Sequence, residues 1–168
     1  MTMARTGLAL AVASLGVVAA AQPAGAAEVV RHIGNPQSPI LSGVTVPGGT
    51  TLVMLSGQVP PAVDSSKPAD SIDAYGDTKT QTVGVLKRIE GLLVAQGLGM
   101  GDVVRMTVFL VGDPKLGGKM DFKGFSEGYA QFFGTAAQPN KVARSTVQVA
   151  ALASPAFLVE IEVTAVGK

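Results

Sequence analysis

Cysteine is absent from all 168 residues. This absence excludes disulfide cross-links, cysteine-ligated zinc and a cysteine nucleophile. A chain of this length can still bury one apolar core without such cross-links, and its length favours one domain. Charged residues make up only 15% of the chain and apolar residues 47%, which is typical of a compact globular protein rather than a disordered one.

Excess positive charge and phosphate-binding motifs are also missing. Without Arg5, the one charged residue in residues 1–26, the basic and acidic residues balance to zero net charge. A neutral domain lacks the field that drives phosphate binding, which counts against a nucleic-acid partner. The sequence has no glycine-rich phosphate loop and no histidine–carboxylate cluster at metal-ligand spacing. Its single histidine, His32, falls in a predicted first strand far from any catalytic partner, so a structural role is favoured.

The N-terminus has the pattern of an export signal. Arg5 precedes an uninterrupted run of apolar and small residues, Leu8–Ala21, and Ala24-Gly25-Ala26 then matches an A-x-A cleavage site. The run is shorter than the roughly 20 apolar residues that a membrane-spanning helix needs. We therefore expect residues 1–26 to be a cleaved signal peptide, residues 27–168 to form a single domain, and the mature protein to be secreted or periplasmic, with no membrane attachment.

Hydrophobic periodicity predicts five strands and two helices in the order β-β-α-β-α-β-β. Strands that alternate with helices imply crossover connections, so both helices should pack on one face of a mixed β-sheet. The fold class is therefore α/β (α+β). The predicted strands are 41–46, 51–59, 102–111, 143–150 and 157–166, and the predicted helices are 74–96 and 121–133, ended by Gly97 and Gly134.

Aromatic residues are few, and most of them recur at helical spacing in the second predicted helix. We interpret this stripe as the face that packs on the sheet rather than as a cofactor site. The residues concerned are Phe122, Phe125, Tyr129, Phe132 and Phe133.

The last two strands carry the charged residues of interest. In the strand 143–150, alternation places Arg144, Thr146 and Gln148 on one face. In the final strand, 157–166, it places Glu160 and Glu162 on the face opposite the apolar residues Val159, Ile161 and Val163. If the apolar sets face the helices, Arg144 and Glu160 share the helix-free face. The strand Leu52–Leu55 is apolar on both faces, so its outer face should be covered by another subunit. An arginine and a glutamate at such an interface could form a carboxylate-binding pocket or an ordinary structural pair, and both readings stay open.

Five segments together resemble the RidA-like (YjgF) family of reactive-intermediate deaminases. They are LVMLSGQVP (52–60), TKTQTVGVLKRIEGLLVAQGLGMGDVVRMTVFLVG (78–112), FSEGYAQFFG (125–134), ARSTVQVAAL (143–152) and VEIEVTA (159–165). The resemblance implies a chorismate-mutase-like fold that assembles as a homotrimer with pockets at the subunit clefts. It also implies cofactor-independent hydrolysis of enamine and imine intermediates to 2-oxo acids and ammonia.

The same resemblance implies roles for particular residues. Arg144 would bind the substrate carboxylate, Glu160 would position the attacking water as the catalytic acid, and Gly57 and Thr146 would line the pocket. Three positions depart from the family pattern: Ile40 replaces a tyrosine, Ser126 replaces an asparagine that would contact the substrate, and Thr146 replaces a cysteine.

Two functions therefore remain open at this point. One is a hydrolase acting on imine or enamine forms of small amino acids. The other is a non-catalytic trimer that binds carboxylate metabolites or a partner protein. A ribonuclease function is least favoured, because the domain is neutral and carries an export signal.

Overall fold

A computed structural model of the chain describes residues 28–167. The predicted signal peptide and its cleavage site lie outside the described residues. Within the described part, no helix has the length and apolar character needed to cross a membrane.

Eight helices and strands form two sheets and one helical layer. The main sheet has four strands in the order β3-β6-β4-β5, in which β4 and β5 are parallel and the other neighbours antiparallel. The bounds are β1 Val30–His32, β2 Gly43–Thr45, β3 Leu52–Gln58, α1 Thr78–Val94, β4 Val103–Val111, α2 Phe122–Tyr129, β5 Ala143–Val149 and β6 Val159–Val166. Both helices pack against one face of this sheet, which confirms the predicted fold class.

The first two strands differ from the prediction. The segment predicted at 41–46 contributes only β2, which pairs with β1 in a separate two-stranded sheet instead of joining the main sheet. Arg31 of β1 attaches this small sheet to the domain. Its guanidinium donates to the carbonyls of Val103, Lys141 and Gly101, at distances of 3.0, 2.9 and 2.8 Å.

Helix α1 begins at Thr78, four residues later than predicted. The Asp77 carboxylate accepts a hydrogen bond from the Thr80 backbone N–H at 2.8 Å and so caps the helix, while residues 72–74 form a separate 3-10 turn. The apolar stripe packs on the sheet, and Gly97 follows the helix with a φ of 72°, as predicted for a helix-ending glycine.

Helix α2 is shorter than predicted and ends at Tyr129. Asp121 caps its start by accepting from the Gly124 N–H at 2.8 Å. Phe125 and Tyr129 are buried in the core, whereas Phe122 is 46% exposed at the start of the helix. The aromatic stripe therefore packs on the sheet as expected, apart from its first residue.

The two faces of the main sheet have opposite environments. The helix-side residues of β4 and β6, such as Met106 and Ile161, are fully buried. On the other face, Met54 is 71% exposed, Val147 44% and Leu52 42%. Residues 28–167 leave the outer face of β3 exposed at Met54 and Leu52, so the predicted burial of this face depends on cover by another subunit.

Candidate functional site

Arg144 lies on the face of the sheet that meets the helices. Its register partner in β4 is Met106, a fully buried residue of the core, and its guanidinium lies against α2. Glu160 is paired with Phe109 of β4, three residues after Met106. Successive side chains of a strand point to opposite faces, so Phe109 and Glu160 lie on the helix-free face. The prediction that Arg144 and Glu160 share the helix-free face is therefore wrong for Arg144. The correct face follows from the register of the parallel pair β4–β5, which alternation within β5 does not specify.

The Arg144 guanidinium rests on aromatic rings instead of on hydrogen-bond acceptors. Its Cζ lies 4.3 Å from the ring centroid of Tyr129 and 4.8 Å from that of Phe125. Among residues 28–167 it has no hydrogen-bond acceptor and no acidic partner, and its Nη1 is buried without a partner. Burial lowers the pKa of Arg144 from its ordinary value, because desolvation disfavours the cation. A half-buried cation of this kind is suited to binding an anion.

Thr146 lies two residues further along β5, on the same face as Arg144. Its Oγ1 is also buried and has no hydrogen-bond partner in the described chain. Ser126, by contrast, has its hydroxyl engaged, because Oγ donates to the Phe122 carbonyl at 2.7 Å. The structure therefore brings Thr146 beside Arg144, whereas the Ser126 hydroxyl is bonded to its own helix.

The segment 36–40 is held next to this cluster. The Tyr129 hydroxyl donates to the Pro39 carbonyl at 3.2 Å, and Lys141 Nζ donates to the carbonyls of Ser38 and Pro36 at 2.7 and 3.1 Å. Leu41 then forms a parallel bridge with Ala143 at the start of β5. Ile40, which precedes it, is half-buried.

Gly57 and Glu160 form a second cluster on the neighbouring strands β3 and β6. The ladder between these strands is interrupted between Leu55 and Gln58, where the strand bulges. A β-carbon at Gly57 would lie 2.8 Å from Glu160 Cδ and closer still to Oε1, so the carboxylate occupies the space that a side chain would need. Within the described residues Glu160 forms no ion pair. Its carboxylate is therefore held over the Gly57 backbone with its charge uncompensated.

The two clusters of one chain are too far apart to hold one small molecule. Two strand spacings of about 4.8 Å separate β5 from β6, and three residues of about 3.3 Å separate the levels of Arg144 and Glu160, which gives about 14 Å between their Cα atoms. The two side chains also leave opposite faces of the sheet. Arg144 and Glu160 therefore cannot form a direct structural pair within one chain.

The helix-free face offers a further opening near the Glu160 cluster. A shallow cavity of about 320 Å³ there is lined by residues that include Met54, Ser56, Arg105 and Glu162. Arg105 and Glu162 are exposed, and neither forms an ion pair with another described residue. This face thus combines exposed apolar side chains with unpaired charges of both signs.

Phe125 and Tyr129 are the site residues that sequence reasoning did not identify. Their helical spacing correctly predicts that they are core residues, but it gives no sign that they also support Arg144. A signal that could have found them is the parallel register, because it places Arg144 level with Met106 beneath the helix that connects the two strands.

The sequence of this chain matches known proteins over most of its length. The family model described as Endoribonuclease L-PSP matches residues 42–167. TdcF of Escherichia coli (strain K12), named a reactive intermediate deaminase, is 36% identical over 117 residues, which span 69% of this chain and 79% of the relative. The protein DfrA of Myxococcus xanthus is 38% identical over 114 residues, which span 68% of this chain and 75% of the relative.

Solved structures agree with the sequence comparison. The crystal structure of E. coli TdcF with bound serine superposes with a TM-score of 0.55 at 32% identity, covering 82% of this chain and 94% of that one. The Rid-family protein YyfB from Yersinia pestis superposes with a TM-score of 0.59 at 26% identity, covering 82% and 98%. With matching sequence, fold and motif order, this chain belongs to the RidA/YjgF family, whose family model carries the description Endoribonuclease L-PSP.

Proposed function

We propose that this protein hydrolyses small enamine and imine carboxylates to 2-oxo acids and ammonia without a cofactor. The observation that carries the proposal is the Arg144 guanidinium, a half-buried cation with no acceptor and no acidic partner in the described chain. Leaving such a group unpaired costs free energy, and a ligand carboxylate can satisfy it with two parallel hydrogen bonds. TdcF, a relative with bound serine in its crystal structure, binds a ligand that carries such a carboxylate.

We further propose that each site is assembled from two chains of a homotrimer. Arg144 of one chain would meet Gly57 and Glu160 of its neighbour, because the two clusters lie about 14 Å apart within one chain. The exposed face that carries Met54 and Val147 supports contact with a second copy of this chain, since an open apolar sheet face is rarely left in water. Arg105 and Glu162 on that face supply charges of both signs for complementary contacts.

The proposed chemistry needs one acid–base group and one anchor. Arg144 binds the carboxylate and fixes the imine carbon near Glu160. The Glu160 carboxylate accepts a proton from water as the water oxygen attacks the imine carbon, and it then donates this proton to the nitrogen, which gives a neutral carbinolamine. Glu160 next transfers the hydroxyl proton of the carbinolamine to the nitrogen. The C–N bond breaks with its electron pair on nitrogen, the carbonyl of the 2-oxo acid forms, and ammonia leaves. The missing side chain at Gly57 leaves the Glu160 carboxylate room to stand in the cleft.

A non-catalytic carboxylate-binding protein is the second candidate. Two observations favour it: the Ser126 hydroxyl is bonded to its own helix, and Ile40 is an apolar residue of the segment held next to the Arg144 cluster. In this function the anchor is kept, and Thr146 is the polar neighbour that keeps a free hydroxyl.

Substitutions at Arg144 and Glu160 distinguish the two functions. We expect Arg144→Ala to weaken binding of small 2-oxo acids by about one to two decades, and Arg144→Lys to weaken it less, because lysine keeps the charge but not the planar fork. Glu160→Gln should leave binding intact and reduce imine hydrolysis. Calorimetry measures binding, and an amino-acid oxidase that generates imines in situ measures turnover. The exposed residues Arg88 and Glu90 provide the matched controls Arg88→Ala and Glu90→Gln.

Binding that is unchanged in Arg144→Ala would contradict the site. Binding by the wild-type protein with no hydrolysis of any imine would favour the non-catalytic function.

Mixed trimers test whether the site spans two chains. Co-expressed Arg144→Ala and Glu160→Gln chains should form mixed trimers in which some clefts pair an intact Arg144 with an intact Glu160. Such trimers should recover a fraction of wild-type activity above that of either variant alone. If the mixture stays as inactive as the separate variants while forming trimers, the site does not span two chains. A monomer in sedimentation equilibrium at micromolar concentration would contradict the assembly itself.

We also propose that the protein acts after export, on the basis of Arg5, the run Leu8–Ala21 and the A-x-A motif. Protein recovered from the cell envelope should begin at or near Ala27 in N-terminal sequencing. An intact Met1 on soluble exported protein would contradict this.

A further inference from the structure

Tyr129 is connected to three parts of the Arg144 cluster at once. Its ring lies under the Arg144 guanidinium at 4.3 Å, and it stacks on Phe133 with ring centroids 4.8 Å apart and an interplanar angle of 16°. Its hydroxyl donates to the Pro39 carbonyl at 3.2 Å. Tyr129 itself is almost fully buried, so the ring has little freedom to move.

Arg144 depends on aromatic rings, the Tyr129 ring nearest, because no hydrogen-bond acceptor in the described chain fixes its guanidinium. An arginine side chain has several rotatable bonds, and acceptors normally hold its fork in one orientation. In the described chain Arg144 has no such acceptor, and its guanidinium instead contacts the rings of Tyr129 and Phe125. An aromatic face attracts the cation while occupying none of its N–H donors, so those donors stay available to a ligand.

We propose that Tyr129 is a positioning residue for carboxylate binding: its ring fixes the plane of the Arg144 guanidinium, and its hydroxyl fixes the adjacent segment 36–40. This inference rests on the proposed function of Arg144 as the carboxylate anchor. Tyr129 need not touch the substrate. Because the ring orders the Arg144 side chain before the ligand arrives, Arg144 loses less conformational entropy when the carboxylate binds. The effect of Tyr129 should therefore appear in the affinity rather than in the rate of the chemical step.

The test compares the binding of pyruvate with that of its neutral amide, pyruvamide. The difference between these ligands reports the carboxylate contact and is insensitive to a general loss of folded protein. We expect Tyr129→Met, which fills much of the space without an aromatic face, to reduce the preference for pyruvate about tenfold, at the upper end of a cation–π contact. Tyr129→Phe keeps the ring and should retain the preference. In imine hydrolysis, Tyr129→Met should raise KM and change kcat less than about twofold.

Phe133→Leu is the matched control, because Phe133 is an equally buried aromatic residue that stacks on Tyr129 and is not among the rings that contact Arg144. It should lower stability without changing the preference for pyruvate. Phe125→Leu removes the more distant ring and should give a smaller loss than Tyr129→Met, so it replaces that variant if Tyr129→Met does not fold.

The possible outcomes separate this inference from the function on which it rests. A wild-type protein that binds pyruvate no better than pyruvamide would contradict the carboxylate site itself. The positioning role alone would be overturned if Tyr129→Met and Phe125→Leu both kept the wild-type preference for pyruvate over pyruvamide. It would also be overturned if Phe133→Leu reduced this preference as much as Tyr129→Met does.

Discussion

Two half-buried arginines of this chain have opposite surroundings. Arg31 donates to three backbone carbonyls and has the Asp102 carboxylate nearby, whereas Arg144 has neither an acceptor nor an acidic neighbour in the described residues. Burial lowers the pKa of both guanidinium groups from the ordinary value. Desolvation is the largest cause of the shift for both cations, so the difference lies in what compensates each one. Arg31 is compensated within the fold, and Arg144 has no such compensation in the described residues.

This difference separates stability from function. A charged group with its acceptors in place stabilises the folded chain, and removing it leaves those acceptors without a donor. A charged group without acceptors reduces stability and is retained for what it binds. The same substitution at the two positions should therefore have opposite effects on unfolding.

The largest expected effect is that of Arg31→Met. Its three charge-assisted hydrogen bonds join β1 to the domain, and their loss should lower the free energy of unfolding by about 3 kcal/mol. Urea unfolding, with all variants at equal protein concentration, measures this change. The affinity for 2-oxo acids should remain at the wild-type level, and a loss of binding that matches Arg144→Ala would remove the distinction between the two arginines.

Ligand addition should stabilise the wild-type protein more than Arg144→Met. At a 2-oxo acid concentration of 100 times the wild-type Kd, binding to the folded state alone adds about 2.7 kcal/mol, and a Kd weakened by one to two decades reduces this to about 0.4 to 1.4 kcal/mol. The thermal midpoint of wild type and of Arg31→Met should therefore rise with pyruvate, and that of Arg144→Met should rise clearly less. Equal ligand-induced shifts in all three proteins would place the binding site elsewhere.

Arg144→Met in the absence of ligand should have a smaller effect of opposite sign to Arg31→Met. Replacing a half-buried, unpartnered cation with an apolar chain of similar length should leave the free energy of unfolding unchanged or raise it by about 1 kcal/mol. The same urea titration measures it. A loss as large as that of Arg31→Met would mean that Arg144 is a structural residue.

The smallest effect is expected for the exposed charges between the helices. Lys79 and Lys123 hydrogen-bond the Glu127 carboxylate and lower its pKa from 4.5 to about 2. This stabilisation is complete above about pH 4.5 and is lost as the pH falls from there through 2. Because the Glu127 side chain is 39% exposed, solvent screens the interaction. Thermal midpoints of Glu127→Gln and wild type should nearly coincide at pH 7, and a large difference would contradict this assignment.

Sequence periodicity predicted the helices, the main strands and the packing of both helices on one face of the sheet. It could do so because Val85, Leu86 and Ile89 recur at helical spacing and because β4 is a continuous apolar run. It gave the wrong face for Arg144, since the polar set of the edge strand β5 (Arg144, Thr146 and Gln148) is the one that faces the helices, and the set that includes Val147 faces away from them. Only pairing with the buried Met106 decides which face meets α2.

The candidate site was predicted less completely than the fold. The residues that the family resemblance selected lie in two clusters in the structure, Arg144 with Thr146 and Gly57 with Glu160. The support that Tyr129 gives to Arg144 could not be predicted, because a contact between a helix and an edge strand depends on long-range packing. Similarly, the hydrogen bond that the Ser126 hydroxyl donates to the Phe122 carbonyl depends on a side-chain rotamer, which the sequence does not specify.

The separation of the two clusters has a consequence for how activity depends on protein concentration. If each cleft needs Arg144 from one chain and Glu160 from another, a dissociated chain has no complete site, and specific activity should fall steeply once the protein is diluted below its assembly constant. If the proposed export releases the protein from the cell, dilution outside the cell makes this dependence important. The subunit contacts through the face carrying Met54 and Val147 would then set the lowest concentration at which the protein can act.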